Sequence, residues 1–368
     1  MIRYFVLIAF LGALAAYTFK ILLMMDPNKR VYNHRPGPCR RVEGIAHGSE
    51  DIALLEDEGL AFITSGIYYM SPRAKNVRGQ IFLYDFKQKG TYKAEPLEIQ
   101  GEYNKDDFNP HGLSHILTAR AVIRLFVINH TKDFKHSVWI LDWNTRTRQL
   151  DLVKIVENEK FIRPNNIMAI SEESFMISND GTAQTAMTNL LEIMSLRPSG
   201  SIAFFNGKES GWLLPSAVSP NGIILDRERK HLYVSHFNDR LITVYRVDEH
   251  TLTLFHVVDV PLGTAADNLY VAPDGSLWTG AHPVLKEAFA VFGDCDNLKK
   301  RSPSQVLRIE FSEDYESWEI TEPFADDGRL ITGSSVAIPY NKQLLIGSVC
   351  RELVHCDILT EETFQWKN

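Results

Sequence analysis

Residues 221–235 read Asn-Gly-Ile-Ile-Leu-Asp-Arg-Glu-Arg-Lys-His-Leu-Tyr-Val-Ser. A polar residue opens a short apolar run, charged residues turn the chain, and a second apolar run ends in a small residue. Two runs of this length around a turn make a β-hairpin. Leu241-Ile242-Thr243-Val244-Tyr245 follows as a third strand.

The same grammar recurs along the chain. Its other openings are Glu50-Asp51-Ile52, Asn109-Pro110-His111-Gly112-Leu113, Asn165-Asn166-Ile167, Asp267-Asn268-Leu269 and Ser334-Ser335-Val336. Their second strands are Leu60–Ile63, Leu125–Ile128, Phe175–Ser178, Leu277–Gly280 and Leu344–Gly347. Successive copies begin roughly 45 to 70 residues apart, the period of a four-stranded propeller blade. The expected fold is therefore all-β: a six-bladed β-propeller over 39–360. Two unrelated β-sandwiches are the alternative, which the repetition disfavours. Thr185–Leu196 is the one stretch that reads as helix.

Composition agrees with a single large globular unit. The 368 residues are 45% apolar and 23% charged, with 39 Lys+Arg against 46 Asp+Glu and a net charge of −7. No long basic run exists, so no nucleic-acid partner is expected. Motifs of serine-elbow esterases, HExxH metalloenzymes and P-loops are absent.

The N-terminus departs from this pattern. Tyr4–Phe19 is unbroken apolar and small sequence, interrupted by Lys20 and resumed at Ile21–Met25. That is long enough to cross a bilayer. The cleavage signature around Phe19-Lys20-Ile21 is poor, which favours a retained signal anchor over 1–25 against a cleaved signal peptide. Residues 26–38, with Pro27, Pro36 and Pro38, read as a linker.

A propeller must close its ring. Cys39 precedes the first copy and Cys356 lies in the last strand, so they become neighbours if the N-terminal strand completes the sixth blade. A bridge there places the propeller in the secretory-pathway lumen or outside the cell. Cys295 and Cys350 have no such argument; a buried thiol is the commoner fate of an unpaired Cys, and their roles are left open.

Innermost propeller strands line the axis, so the opening residues converge. Glu50, Asn165, Asn221, Asp267 and Asn268 all offer oxygen and two are carboxylates, the donor mixture of calcium. His111 opens the second copy and His130 ends its neighbouring strand, which makes them a candidate general-base pair. A hydrogen-bonded core histidine is the bland alternative. His282 either reaches the site mouth or caps a strand.

These residues resemble the paraoxonase/arylesterase family. The segments concerned are Gly48-Ser49-Glu50-Asp51, Gly59–Ile63, Phe108-Asn109-Pro110-His111-Gly112, Val127–His130, Pro220-Asn221-Gly222-Ile223 and Asp267-Asn268. The resemblance runs from Cys39 to Cys356. It implies a catalytic calcium on Glu50, Asn165, Asn221, Asp267 and Asn268, and a second, structural calcium on Asp51, the Leu113 carbonyl and Asn166. It also implies a His111–His130 dyad, the Cys39–Cys356 bridge and Tyr69 as a mobile active-site-loop tyrosine. The implied activity is hydrolysis of lactones and aryl esters, with His111 or Asp267 activating water. Asn166 stands where the family usually has Asp, so weaker binding of the second ion is expected. The family also includes nematode membrane proteins that assist assembly or surface delivery of ion channels. A catalytically weak protein with a membrane-protein client is thus the alternative to a membrane-anchored hydrolase.

Overall fold

The computed structural model describes residues 2–67, 77–248 and 251–359. Six antiparallel sheets follow one another around a central axis, and each sequence copy forms one of them. Blade one comprises Ile52–Leu55, Leu60–Ser65, Gln80–Asp85 and Ala94–Leu97. Blade two comprises Pro110–Leu117, Ile123–His130, His136–Asn144 and Gln149–Val156, with Ile99–Gln100 added in parallel at its edge. Blades three, four and five begin at Pro164, Pro220 and Ala265, and blade six at Ser334.

The second strand of each blade is buried on both faces, since neighbouring blades cover it. This explains why these strands read as continuous apolar runs rather than alternating ones. Phe62, Leu83, Leu125, Trp139 and Trp143 fill the gap between blades one and two. Phe126, Phe161, Phe175 and Phe205 fill the next.

Ring closure follows the expected route. Cys39–Arg41 pairs antiparallel with Val354–Asp357 as the outer strand of blade six, Cys39 lies opposite Cys356, and the two are disulfide-bonded. The 26–38 stretch lies against the propeller. His34 exchanges two 3.0 Å backbone hydrogen bonds with Ala325, and Arg35 pairs with the buried Asp326 carboxylate at 3.0 Å.

Helix α1 (Ile2–Met24) is long and apolar enough to cross a membrane, and all but its end is exposed. Ile21 and Met24 pack with Phe237, Ala265 and Leu285. Helix α2 (Ala186–Ser195) falls where the sequence reads as helix, started by a Thr185/Thr188 capping box.

One expectation is corrected and one open point is settled. A third helix, α3 (Leu285–Phe292), buries Leu285, Ala288 and Val291. At eight residues it is too short for its periodicity to stand out in the sequence. Cys295 and Cys350 are not free thiols but a second disulfide. The turn after α3 carries Cys295 back to the loop following the second strand of blade six, a juxtaposition that no local sequence signal records.

Candidate active site

The doublets that open the blades sit on irregularities in the inner strands. The ladder register slips between Pro110 and Leu113, Pro164 and Ile167, Pro220 and Ile223, and Ala266 and Leu269, and again at Ser335. In a regular strand, successive side chains point to opposite faces; a bulge re-aims them. His111, Asn165 and Asn166, Asn221, and Asp267 and Asn268 all lie in these slips. Glu50 and Asp51 precede the first strand of blade one and are held by Thr64, through Glu50 N to Thr64 O at 3.0 Å and Asp51 N to Thr64 Oγ1 at 3.1 Å.

Close approach of the blades depends on glycine. A Cβ on Gly112 would lie 2.5 Å from the Asn165 carbonyl oxygen, and one on Gly222 2.5 Å from that of Asp267. Serines make the same approach and bond across it: Ser178 Oγ donates to the Asn221 carbonyl at 2.5 Å and Ser235 Oγ to that of Asp267 at 2.7 Å.

Glu50 Oε2, Asn165 Oδ1, Asn221 Oδ1 and Asp267 Oδ1 are buried with no hydrogen-bond partner. Leaving four oxygens from four blades unsatisfied is costly, unless a cation takes them. The chemistry fits a hard ion: two carboxylates, two amide carbonyls, no thiolate. Among the described residues no group of three or more His, Cys, Asp and Glu side chains forms a metal cluster, so the donor set depends on the amides. Asn268 differs from the other four predicted ligands. Its Oδ1 accepts from Asn166 at 2.9 Å, and its Nδ2 donates to Glu50 Oε1 at 2.9 Å.

A second layer adjoins this cluster. Asp51 Oδ2 accepts from Leu113 N at 2.8 Å and from Asn166 Nδ2 at 3.0 Å, and Asp51 Oδ1 from Ile52 N at 2.9 Å. Burial, with Glu50 nearby, pushes the Asp51 carboxyl well above the usual range. A cavity of about 850 Å³ borders this layer; its lining includes Asp51, Asn166, His115 and Tyr270 but not His111 or Asp267.

His111 Nδ1 lies 2.9 Å from His130 Nε2, and His111 Nε2 lies 3.5 Å from Glu50 Oε1. Burial lowers the His111 pKa, but the Glu50 carboxylate, together with Asp180 and Asp267, makes the net shift upward. Burial and the neighbouring His111 and His136 hold His130 well below its ordinary value. The two rings are thus pushed apart, with the proton favoured on His111. His282 is inside the site rather than at its mouth: its Nε2 lies 2.8 Å from Asp267 Oδ2, and the Phe237 and Phe292 rings pack against it. Burial raises the Asp267 carboxyl, against the hydrogen bond from His282. Tyr69 lies outside the described residues.

His136 was missed by the sequence reading. It faces His130 directly across the ladder, and its Nδ1 lies 2.8 Å from His130 Nδ1. Two histidines flanking a five-residue turn were the available signal.

This arrangement has relatives. A family profile described as Arylesterase matches residues 31–358. The chain belongs to the arylesterase family. Serum paraoxonase/arylesterase 2 of Gallus gallus is 32% identical over 87% of this arylesterase-family chain and 88% of its own length. Serum paraoxonase/lactonase 3 of Oryctolagus cuniculus is also 32% identical, over 87% and 89%. Mechanosensory abnormality protein 6 of Caenorhabditis elegans is 28% identical over 94% of this chain and 92% of its own. A solved luciferin-regenerating enzyme superposes with a TM-score of 0.53 at 14% identity, covering 87% of this chain and 95% of its own. That last likeness speaks for the fold of this arylesterase-family propeller alone.

Proposed function

We propose that the chain is a calcium-dependent hydrolase of lactones and aryl esters, held to a membrane by α1 with its propeller in the secretory-pathway lumen or outside the cell. Membership of the arylesterase family supports ester or lactone hydrolysis. The observation that carries the calcium reading is the set of four buried, unpartnered oxygens on Glu50, Asn165, Asn221 and Asp267 beside the His111–His130 pair. Two disulfides support an oxidising compartment.

Glu50, Asn165, Asn221 and Asp267 would hold the ion. When bound, calcium supplies Lewis-acid polarisation of a substrate carbonyl. His111, its Nδ1 held by His130, takes a proton from the attacking water at Nε2. Asp267 is the alternative base, one oxygen held by His282 Nε2 and the other facing the cluster. Phe237, Phe289 and Phe292, packed with the end of α1, exclude bulk water from this side.

A second reading is a catalytically weak membrane protein that assists ion-channel assembly or surface delivery. The packing of Ile21 and Met24 onto the propeller, which makes α1 part of the folded unit, favours it. Similarity to the mechanosensory abnormality protein over nearly the whole chain does so too.

The test is an assay of the detergent-solubilised full chain against a lactone panel and phenyl acetate, with calcium and then with EDTA. The expected outcome is calcium-dependent turnover that falls on the order of 100-fold or more in Asp267→Ala. A folded, calcium-loaded protein with no turnover on any substrate would overturn the hydrolase and leave the second reading.

A further inference from the structure

We propose that the side-chain amide of Asn166 takes the place of the second cation, so that this propeller binds no ion in the Asp51 layer. Only the absolute ion count rests on the calcium reading of the first cluster.

The evidence is the orientation of one buried amide. Asn166 Nδ2 donates to Asp51 Oδ2 at 3.0 Å and to Asn268 Oδ1 at 2.9 Å, while Asn166 Oδ1 accepts from Ile223 N at 3.1 Å. Turning the amide over would set Nδ2 against the Ile223 N–H, donor against donor. It would also set Oδ1 against a carboxylate and a carbonyl, acceptor against acceptors. All three contacts select the same orientation. The atom aimed at Asp51 is therefore a nitrogen whose hydrogens point inward, and it has nothing to offer a cation.

The remaining side-chain oxygens of the layer already accept hydrogen bonds. Both Asp51 oxygens accept backbone N–H groups, from Ile52 and Leu113, and Asn268 Oδ1 accepts from Asn166. None of these oxygens is among the buried unpartnered atoms, whereas the first cluster has four. Calcium asks for six to eight oxygen ligands, and a cation between Asp51 and Asn268 would first have to displace the Asn166 Nδ2 hydrogens from both. Access is not the obstacle, because the layer borders the 850 Å³ cavity. The neutral amide joins blade three to blades one, four and five, so hydrogen bonds do the bridging that an ion would otherwise do. The residues thus disagree with the second site that the family resemblance implies.

The experiment counts bound calcium per chain by equilibrium dialysis of the detergent-solubilised full chain and of Asn166→Asp. An acid at this position replaces the inward donor with an acceptor facing Asp51, which recreates a cation site. One ion for the wild type and two for the variant are expected. Two ions for the wild type, or equal counts for both, would overturn the proposal. Zero and one would sink the calcium reading of the first cluster while upholding the amide bridge. Should Asn166→Asp fail to fold, Asp51→Asn decides: an unchanged count supports the bridge, and the loss of one ion refutes it.

Discussion

His130 Nδ1 lies 2.8 Å from His136 Nδ1, and the two residues face each other in adjacent strands of blade two. A single proton occupies such a contact, so His136 settles whether the neutral His130 ring faces His111 with Nε2 as donor or as acceptor. Burial lowers the His136 pKa from 6.5 to about 4. The unfolded chain then takes up this proton before the folded one. The contribution to stability is complete above about pH 6.5 and is lost as pH falls towards 4. At pH 5 the loss from this residue is about 2 kcal/mol. Urea midpoints at pH 7 and pH 5 should therefore fall further for the wild type than for His136→Gln, and equal falls would refute this account.

The Cys39–Cys356 bridge closes a sequence separation of 317 residues, against 55 for Cys295–Cys350. On the chain-entropy account their removal costs about 6 and about 4 kcal/mol respectively. Paired Cys→Ser variants at 39 and 356 should also open the sixth blade. Amide exchange should then rise in Val354–Asp357, whereas replacing the second pair should loosen the segment after α3.

Gly222 allows the inner strands of blades four and five to touch. An alanine there places its Cβ 2.5 Å from the Asp267 carbonyl oxygen, below any normal contact. Gly222→Ala should cost at least about 2 kcal/mol by overpacking. Because Asp267 must shift, activity should fall more than the lost stability alone explains. A variant with wild-type thermal stability would contradict this.

Arg163 anchors α2 from below. Its Nη1 donates to Glu192 Oε2 at 2.8 Å and to Asn189 Oδ1 at 3.0 Å, and its Nε pairs with Asp180. All three charged groups are largely buried. Removing the cation therefore takes the counter-ion from both carboxylates at about 3 kcal/mol, although Glu192 keeps its bonds from Thr182 and Ala183. Limited proteolysis should cut Arg163→Met first within 180–199, while the wild type resists at these sites.

Much of this molecule is local and was legible as such. Each blade's first hairpin is written in a few residues of apolar run, turn and apolar run, and both faces of the second strands are covered, so hydrophobicity alone marks them. The donors could be picked out because a polar doublet before each strand recurs in register. Cys39 and Cys356 followed from closure of the ring, which topology requires. What the sequence did not contain is the direction in which side chains point once the ring has closed. The bulges at 111–112, 165–166 and 267–268 arise because neighbouring inner strands crowd one axis. Only that crowding turns the oxygens of Glu50, Asn165, Asn221 and Asp267 inward without partners while Asn166 binds Asp51 and Asn268. His136 at His130, His282 on Asp267 and Cys295 against Cys350 are contacts made by packing between segments that no local pattern links. Secondary structure depends on neighbours a few residues away, whereas the site brings together groups 218 residues apart, as Asn268 and Glu50 are.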